Sequence, residues 1–85
     1  MAERSYSSHL SLEAAQFVIG LPRRRQVIVL ELADQIARHP FQIGDYHSID
    51  ANGRTIENLL LEGYLFTYWI DHGSREVRIT EILAV

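Results

Sequence analysis

Three tight turn signals follow one another at short intervals after Gly44, and between them the residues are those that pleated strands favour. The first, Asp50-Ala51-Asn52-Gly53, holds an Asn-Gly pair, whose residues both accept the positive φ that a type I′ hairpin turn demands. Glu62-Gly63 and Asp71-His72-Gly73-Ser74 are the next two breaks. Between them Tyr64 to Asp71 has six aromatic or aliphatic residues out of eight, and Glu76 to Leu83 alternates polar residues with Val77, Ile79 and Ile82. With Tyr46 to Ile49 leading in and Arg54 to Leu61 as an arm, the stretch predicts three or four short strands, most economically a three-stranded antiparallel meander.

The first half predicts two helices that cover one face of this sheet. Ser11 is placed to cap a helix from Leu12 to about Ile19, with Glu13 at the end of the helix dipole that favours negative charge. Ala14, Phe17, Val18 and Leu21 give its buried stripe, and Gly20 is expected to end it in the left-handed cap conformation. Pro22 opens a second helix reaching about Arg38, where His39-Pro40 stops it. Its stripe, Val29, Leu32, Ala33 and Ile36, is flanked by Val27, Ile28, Leu30 and Ala37, so cover is expected on two sides. Arg4 to Leu10 alternates weakly and reads as an edge strand or a frayed arm. The fold class is α+β, in the order (β)-α-α-β-β-β, as one domain over residues 1–85.

At 85 residues only about 60 to 65 % of the surface is buried on folding, so a partner or a second copy would add stability. No cysteine is present, which removes disulfides, thiolate nucleophiles and cysteine metal sites. No bilayer-spanning apolar run and no signal peptide is visible, so a soluble cytoplasmic protein without membrane association is expected. Residues 1–43 carry five arginines against four acids, residues 44–85 three against seven, and lysine is absent. That balance speaks against strong nonspecific nucleic-acid binding by the sheet half.

Arginine supplies the candidate chemistry. Arg54 and Arg78 fall on or beside neighbouring strands, with Arg75 at the rim next to His72, and Tyr46, Tyr64 and Tyr68 are nearby. Such a cluster could grip a phosphate and stabilise a pentavalent transition state; the same arginines could instead form ion pairs, Arg78 with Glu57 or Glu76 and Arg54 with Asp50. Arg23, Arg24 and Arg25 stand at the unfavourable end of the helix dipole, either as a solvated helix start or as a contact for phosphate or an acidic partner. His9, His39, His47 and His72 show no metal-ligand spacing, so no metal or cofactor is expected; His72 could act as an acid or base. Phe66 and Trp69 have opposite parity, so one faces outward and suggests a covered surface.

Taken together, the segments Leu10-Ser11-Leu12-Glu13-Ala14-Ala15-Gln16-Phe17, Leu21-Pro22-Arg23-Arg24, His39-Pro40-Phe41, Gly44-Asp45-Tyr46, Asp50-Ala51-Asn52-Gly53-Arg54, Gly63 to His72 and Glu76-Val77-Arg78-Ile79 resemble, in order and spacing, the RelE/ParE toxin superfamily of type II toxin–antitoxin systems, in its RelE-like branch. The likeness covers nearly the whole chain. It implies one of two activities: metal-independent endonucleolytic cleavage of messenger RNA on translating ribosomes (mRNA interferase activity), or poisoning of DNA gyrase. It also implies a cognate antitoxin, bound in a dimer or heterotetramer, and leaves open an inactive relative that only binds its antitoxin. On the ribonuclease reading Arg54, Arg78, Tyr68 and Tyr46 are the catalytic candidates, and Arg23, Arg24, Arg75 and His72 the substrate-binding ones. The sequence departs from those ribonucleases in lacking their basic, tyrosine-bearing tail and in being acidic.

Overall fold

The computed structural model describes residues 5–85; the Arg4 end of the expected first strand lies outside them. Strand β1 (Ser7–Leu10) leads into helix α1 (Leu12–Ile19) and helix α2 (Arg23–Arg38), and four strands follow: β2 (Tyr46–Ile49), β3 (Thr55–Leu61), β4 (Tyr64–Asp71) and β5 (Glu76–Ala84). They form one five-stranded sheet in the order β1-β5-β4-β3-β2. β2 to β5 are antiparallel neighbours, and β1 joins β5 in parallel, His9 opposite Arg78. The expected α+β architecture is therefore present, with a strand added at each edge of the meander. The parallel pairing follows from the helical hairpin, which returns the chain so that the later strands pair beside β1.

Ser11 caps α1 as expected: its Oγ accepts from the Ala14 amide at 3.1 Å and donates to the Thr80 carbonyl at 2.7 Å, tying the helix start to β5. Gly20, however, has φ −75°, so no left-handed cap exists there. The hairpin is closed instead by Gln26, whose Nε2 donates to the carbonyls of Ile19 and Leu21, while proline after Leu21 excludes helical geometry at that residue. Pro22 serves as the cap and Arg23 begins α2.

The turns also differ from expectation in an informative way. Only Gly53 of the Asn52-Gly53 pair has positive φ (80°), because the Asp50 carboxylate accepts from the amides of Asn52 and Arg54 and holds a type I turn followed by a left-handed glycine. The type I′ turn sits at the next break, where Glu62 (φ 52°) and Gly63 (φ 86°) both lie in the left-handed region between the paired Leu61 and Tyr64.

Both helices pack on one face of the sheet, and the core joins Ala14, Val18, Val29, Leu32, Ala33 and Ile36 to Leu59, Tyr64, Phe66, Tyr68, Val77, Ile79 and Ile82. The expected two-sided cover of α2 is incomplete, since Val27 and Leu30 remain about half exposed beside Glu62. The helices do not reach β2, all four of whose residues are exposed. Beside β3 the segment leading into β2 is tied to the strand: the Gly44 amide donates to Glu57 Oε1, the Asp45 amide to the Asn58 carbonyl, and the Leu60 amide to Asp45 Oδ2. No helix among the described residues is long and apolar enough to cross a membrane.

Candidate functional site: the open face of the sheet

Strand alternation sorts the candidate residues onto two faces. Phe66, Tyr68, Val77 and Ile79 point toward the helices; Thr67, Trp69, Arg78 and Thr80 point away. The outward aromatic is thus Trp69. The register sets out the open face in rows across the strands. Leu60, Leu65 and Leu83 form an apolar end, and Tyr46, Asn58 and Thr67 a middle row in which Thr67 Oγ1 donates to Asn58 Oδ1 at 2.8 Å. Ser48, Ile56, Trp69, Arg78 and His9 form the third row.

That third row is where the chemistry gathers. The Arg54 guanidinium lies over the Trp69 ring, 4.3 Å from its centroid, close enough for a cation–π interaction. Arg78 is the cross-strand partner of Trp69, so the tryptophan stands next to both arginines on the open face. Each is also ion-paired: Arg54 Nε with Asp50 Oδ2 at 2.9 Å, and Arg78 with Glu76 Oε1 at 2.7 Å. Of the expected ion pairs, Arg78 takes Glu76; Glu57 turns to the Gly44 amide. The hydrogen bond from the Arg54 amide, followed by its guanidinium and the Asn52 amide, outweighs desolvation and holds the Asp50 carboxyl below its usual range. The Ser74 and Gly73 amides and the more distant Arg78 act alike on Asp71.

Two hollows flank Trp69. One, of about 430 Å³, is lined by Arg54, Trp69, His72 and the segment from Pro40 to Ile43. The other, of about 270 Å³, lies between β1 and β4 and is lined by His9, Ser11, Trp69, Arg78 and Thr80. His72 shares the first with Arg54, its ring stacked on Phe41 and its Nδ1 2.8 Å from the Tyr6 hydroxyl.

The remaining candidates are placed elsewhere. Tyr68 is 1 % exposed on the helix-facing side of β4, on the opposite surface from Trp69 and Arg78. Its hydroxyl has no hydrogen-bond partner among the described residues. Burial, helped by the carboxylates of Glu57 and Asp45, pushes its phenol up to about 12. Tyr46 is on the open face, half exposed, but one row from Trp69. Arg23 and Arg24 stand at the other end of β4, since their neighbour Arg25 donates to the hydroxyl of Tyr64, the first residue of that strand, at 2.8 Å. Trp69 is five residues further along, roughly 16 Å away at the rise of an extended strand. Arg75 sits in the β4–β5 turn with φ 55°, its carbonyl accepting from the Ser7 amide. No cluster of three or more histidines and acids able to hold a metal ion occurs among the described residues.

The residue that sequence reasoning left without a role is His9. Its Nε2 is 3.3 Å from Glu76 Oε2 and 3.1 Å from Ser7 Oγ, directly across from Arg78. Only the parallel β1–β5 pairing brings it there, and nothing in the local sequence signals that pairing.

Among solved structures the fold has clear counterparts. Over 95 % of its length the chain superposes, with a TM-score of 0.78 and 21 % identity, on 92 % of a chain from the toxin–antitoxin complex RelBE2 of Mycobacterium tuberculosis. A chain from the archaeal RelE-RelB complex of Pyrococcus horikoshii matches with a TM-score of 0.71, 13 % identity and 95 % coverage, over 96 % of its own length. No family model and no curated protein matches the sequence. The α+β sheet with its helical hairpin is thus a RelE-like toxin fold.

Proposed function

We propose that this chain is the toxin of a toxin–antitoxin pair and that it acts as an endoribonuclease on messenger RNA in translating ribosomes. The two structural counterparts are complexes of that kind, which supports an antitoxin partner for this chain as well. The observation that carries the nuclease reading is Trp69 with Arg54 over its ring and Arg78 on the neighbouring strand, on the sheet face opposite the helices. A partly exposed aromatic ring offers a stacking edge to an unpaired base, and guanidinium groups beside it can bind the adjoining phosphate in bidentate fashion. Arg54 and Arg78 are the phosphate ligands in this reading. Tyr46 is the tyrosine available on that face; Tyr68 belongs to the core.

A second reading rests on a different observation. Both arginines already have carboxylate partners, and the half of the chain that builds this face is acidic. A face so neutralised suits a protein surface, either DNA gyrase or the antitoxin alone, with Trp69 as an aromatic anchor. Mapping new RNA 5′ ends within minutes of inducing the chain in bacteria without its partner separates the two. Breaks inside translated codons, absent from Arg54→Ala and Arg78→Ala, are the expected result. Growth arrest without breaks overturns the nuclease reading in favour of the second, and breaks that persist in both variants overturn the site.

A further inference from the structure

We infer that His9 is the proton acceptor of this site, with Glu76 as its positioning residue, and that the hollow between His9 and Trp69 takes one ribose and its 3′-phosphate. The inference rests on the ribonuclease reading above. Three observations carry it.

First, both polar neighbours of the His9 ring, Glu76 Oε2 and Ser7 Oγ, lie at Nε2. A carboxylate only accepts, so this placement favours the tautomer with its proton on Nε2, and Nδ1 has no polar neighbour among the described residues. Second, Glu76 is itself held. Its other oxygen lies 2.7 Å from the Arg78 guanidinium, a charge contact without hydrogen-bond alignment, so the acid beside the imidazole is flanked on its far side by the arginine assigned to phosphate. The order histidine, carboxylate, arginine is built on adjacent strands, β1 and β5, which fixes its geometry through the backbone register. Third, His9, Trp69, Arg78 and the hydroxyl-bearing Ser11 and Thr80 line one hollow of about 270 Å³, large enough for a sugar and phosphate with the base on the tryptophan. A surface histidine with a structural role alone needs no such hollow beside it.

The step balances without any co-reactant but water. Neutral His9 takes the proton from the ribose 2′-hydroxyl at Nδ1, and the O–H electron pair forms the new bond from O2′ to phosphorus. The bond from phosphorus to O5′ of the next nucleotide breaks, and its electron pair leaves on O5′, which water protonates. The products are a 2′,3′-cyclic phosphate and a 5′-hydroxyl end. Arg78, beside His9, faces the charge that builds on the phosphate oxygens. The resulting imidazolium is stabilised by Glu76.

The test uses purified chain with ribosomes programmed by a defined messenger RNA, comparing wild type with His9→Gln, Glu76→Gln and the double variant. Loss of a general base costs typically 10²- to 10⁴-fold, so His9→Gln is expected to lower kcat at least about 100-fold. Its affinity for a messenger with a 2′-deoxy residue at the cleavage position should be unchanged. Glu76→Gln should lose less, and the double variant no more than His9→Gln alone, because Glu76 acts through the imidazole. A substrate with sulfur in place of the 5′-bridging oxygen, whose departure needs no proton, should leave the His9→Gln defect intact. Rescue by that sulfur overturns the assignment as base, and a His9→Gln rate within threefold of wild type overturns any catalytic part. Both outcomes leave the ribonuclease reading standing. Absence of cleavage by wild type overturns the two together.

Discussion

Removing one oxygen, in Tyr68→Phe, tests the assignment of this tyrosine to the core. The ring is 1 % exposed and packs with Phe66 and Ile79, while its hydroxyl has no partner among the described residues. A buried hydroxyl left unpaired costs about 1–3 kcal/mol, and phenylalanine keeps the ring's shape, so the variant should gain roughly 1–2 kcal/mol at neutral pH. The comparison has a second arm at alkaline pH. The folded protein keeps the phenol proton up to about 12, whereas a tyrosine in the unfolded chain releases it near ~10. In that window the unfolded state binds fewer protons, so wild-type stability is whole below ~10 and falls as pH rises toward 12, by roughly 2–3 kcal/mol in all. Tyr68→Phe lacks this loss. Urea midpoints at pH 7, 10 and 11.5, read as ~0.5-unit steps where the slope demands it, should show the two proteins diverging with pH. A Tyr68→Phe protein less stable than wild type by more than about 1 kcal/mol at pH 7, or one with the same alkaline decline, refutes the reasoning. Unchanged RNA cleavage by the same variant is expected, since the ring lies on the wrong face for Arg54 and Arg78.

Other perturbations reach different parts of the fold. A Cβ at Gly44 would lie 2.8 Å from the Asn58 carbonyl oxygen, a backbone atom with no room to retreat, so Gly44→Ala should lose about 1–3 kcal/mol in chemical denaturation. Glu62, at φ 52°, carries the cost of the left-handed conformation, and Glu62→Gly should raise stability by up to about 1 kcal/mol in the same assay. Arg25 donates to Tyr64 and lies 5.3 Å from its ring centroid. Arg25→Ala should therefore cost about 1–2 kcal/mol by denaturant midpoint, whereas Arg23→Ala and Arg24→Ala should change it by less than ~0.5.

What could be read from the chain was whatever depends on neighbours in sequence. Ser11 as a cap, the stripe of Val29, Leu32, Ala33 and Ile36, and the opposite parity of Phe66 and Trp69 are local, and each is present. The conformations of the turns were less legible, because a side chain several bonds away decides them: Asp50 converts the Asn-Gly pair to a type I turn, and the two-residue spacing forces the mirror-image turn on Glu62-Gly63. Tyr68 was misplaced for a different reason. Alternation separates the two faces of β4 but cannot say which face the helices take, so a tyrosine next to a tryptophan reads equally well on either. His9 was invisible as part of a site because its partners, Glu76 and Arg78, are brought to it by a parallel pairing more than sixty residues apart in sequence.

The ion pairs of Arg54 and Arg78 look at first like an argument against phosphate binding, yet their geometry distinguishes the two. Asp50 accepts from the amides of Asn52 and Arg54 as well as from the guanidinium, so releasing the side chain leaves the carboxylate with two donors. Arg54 meanwhile keeps Trp69, its guanidinium 4.3 Å from the ring centroid. An exposed ion pair of this kind is weak and exchanges readily with a doubly charged competitor. Glu76 is enclosed to about the same degree as Asp50, their side chains 20 % and 23 % exposed, but it is shared between Arg78 and His9. Pulling Arg78 away would unfix the acid that orients the imidazole, so phosphate must bind to the guanidinium edge that Glu76 leaves free. Arg54 can move to its ligand, while Arg78 must receive it in place. Arg78→Lys, which keeps the charge but not two separate edges, is therefore expected to damage cleavage more than Arg54→Lys, and equal effects of the two replacements would refute this distinction between the arginines.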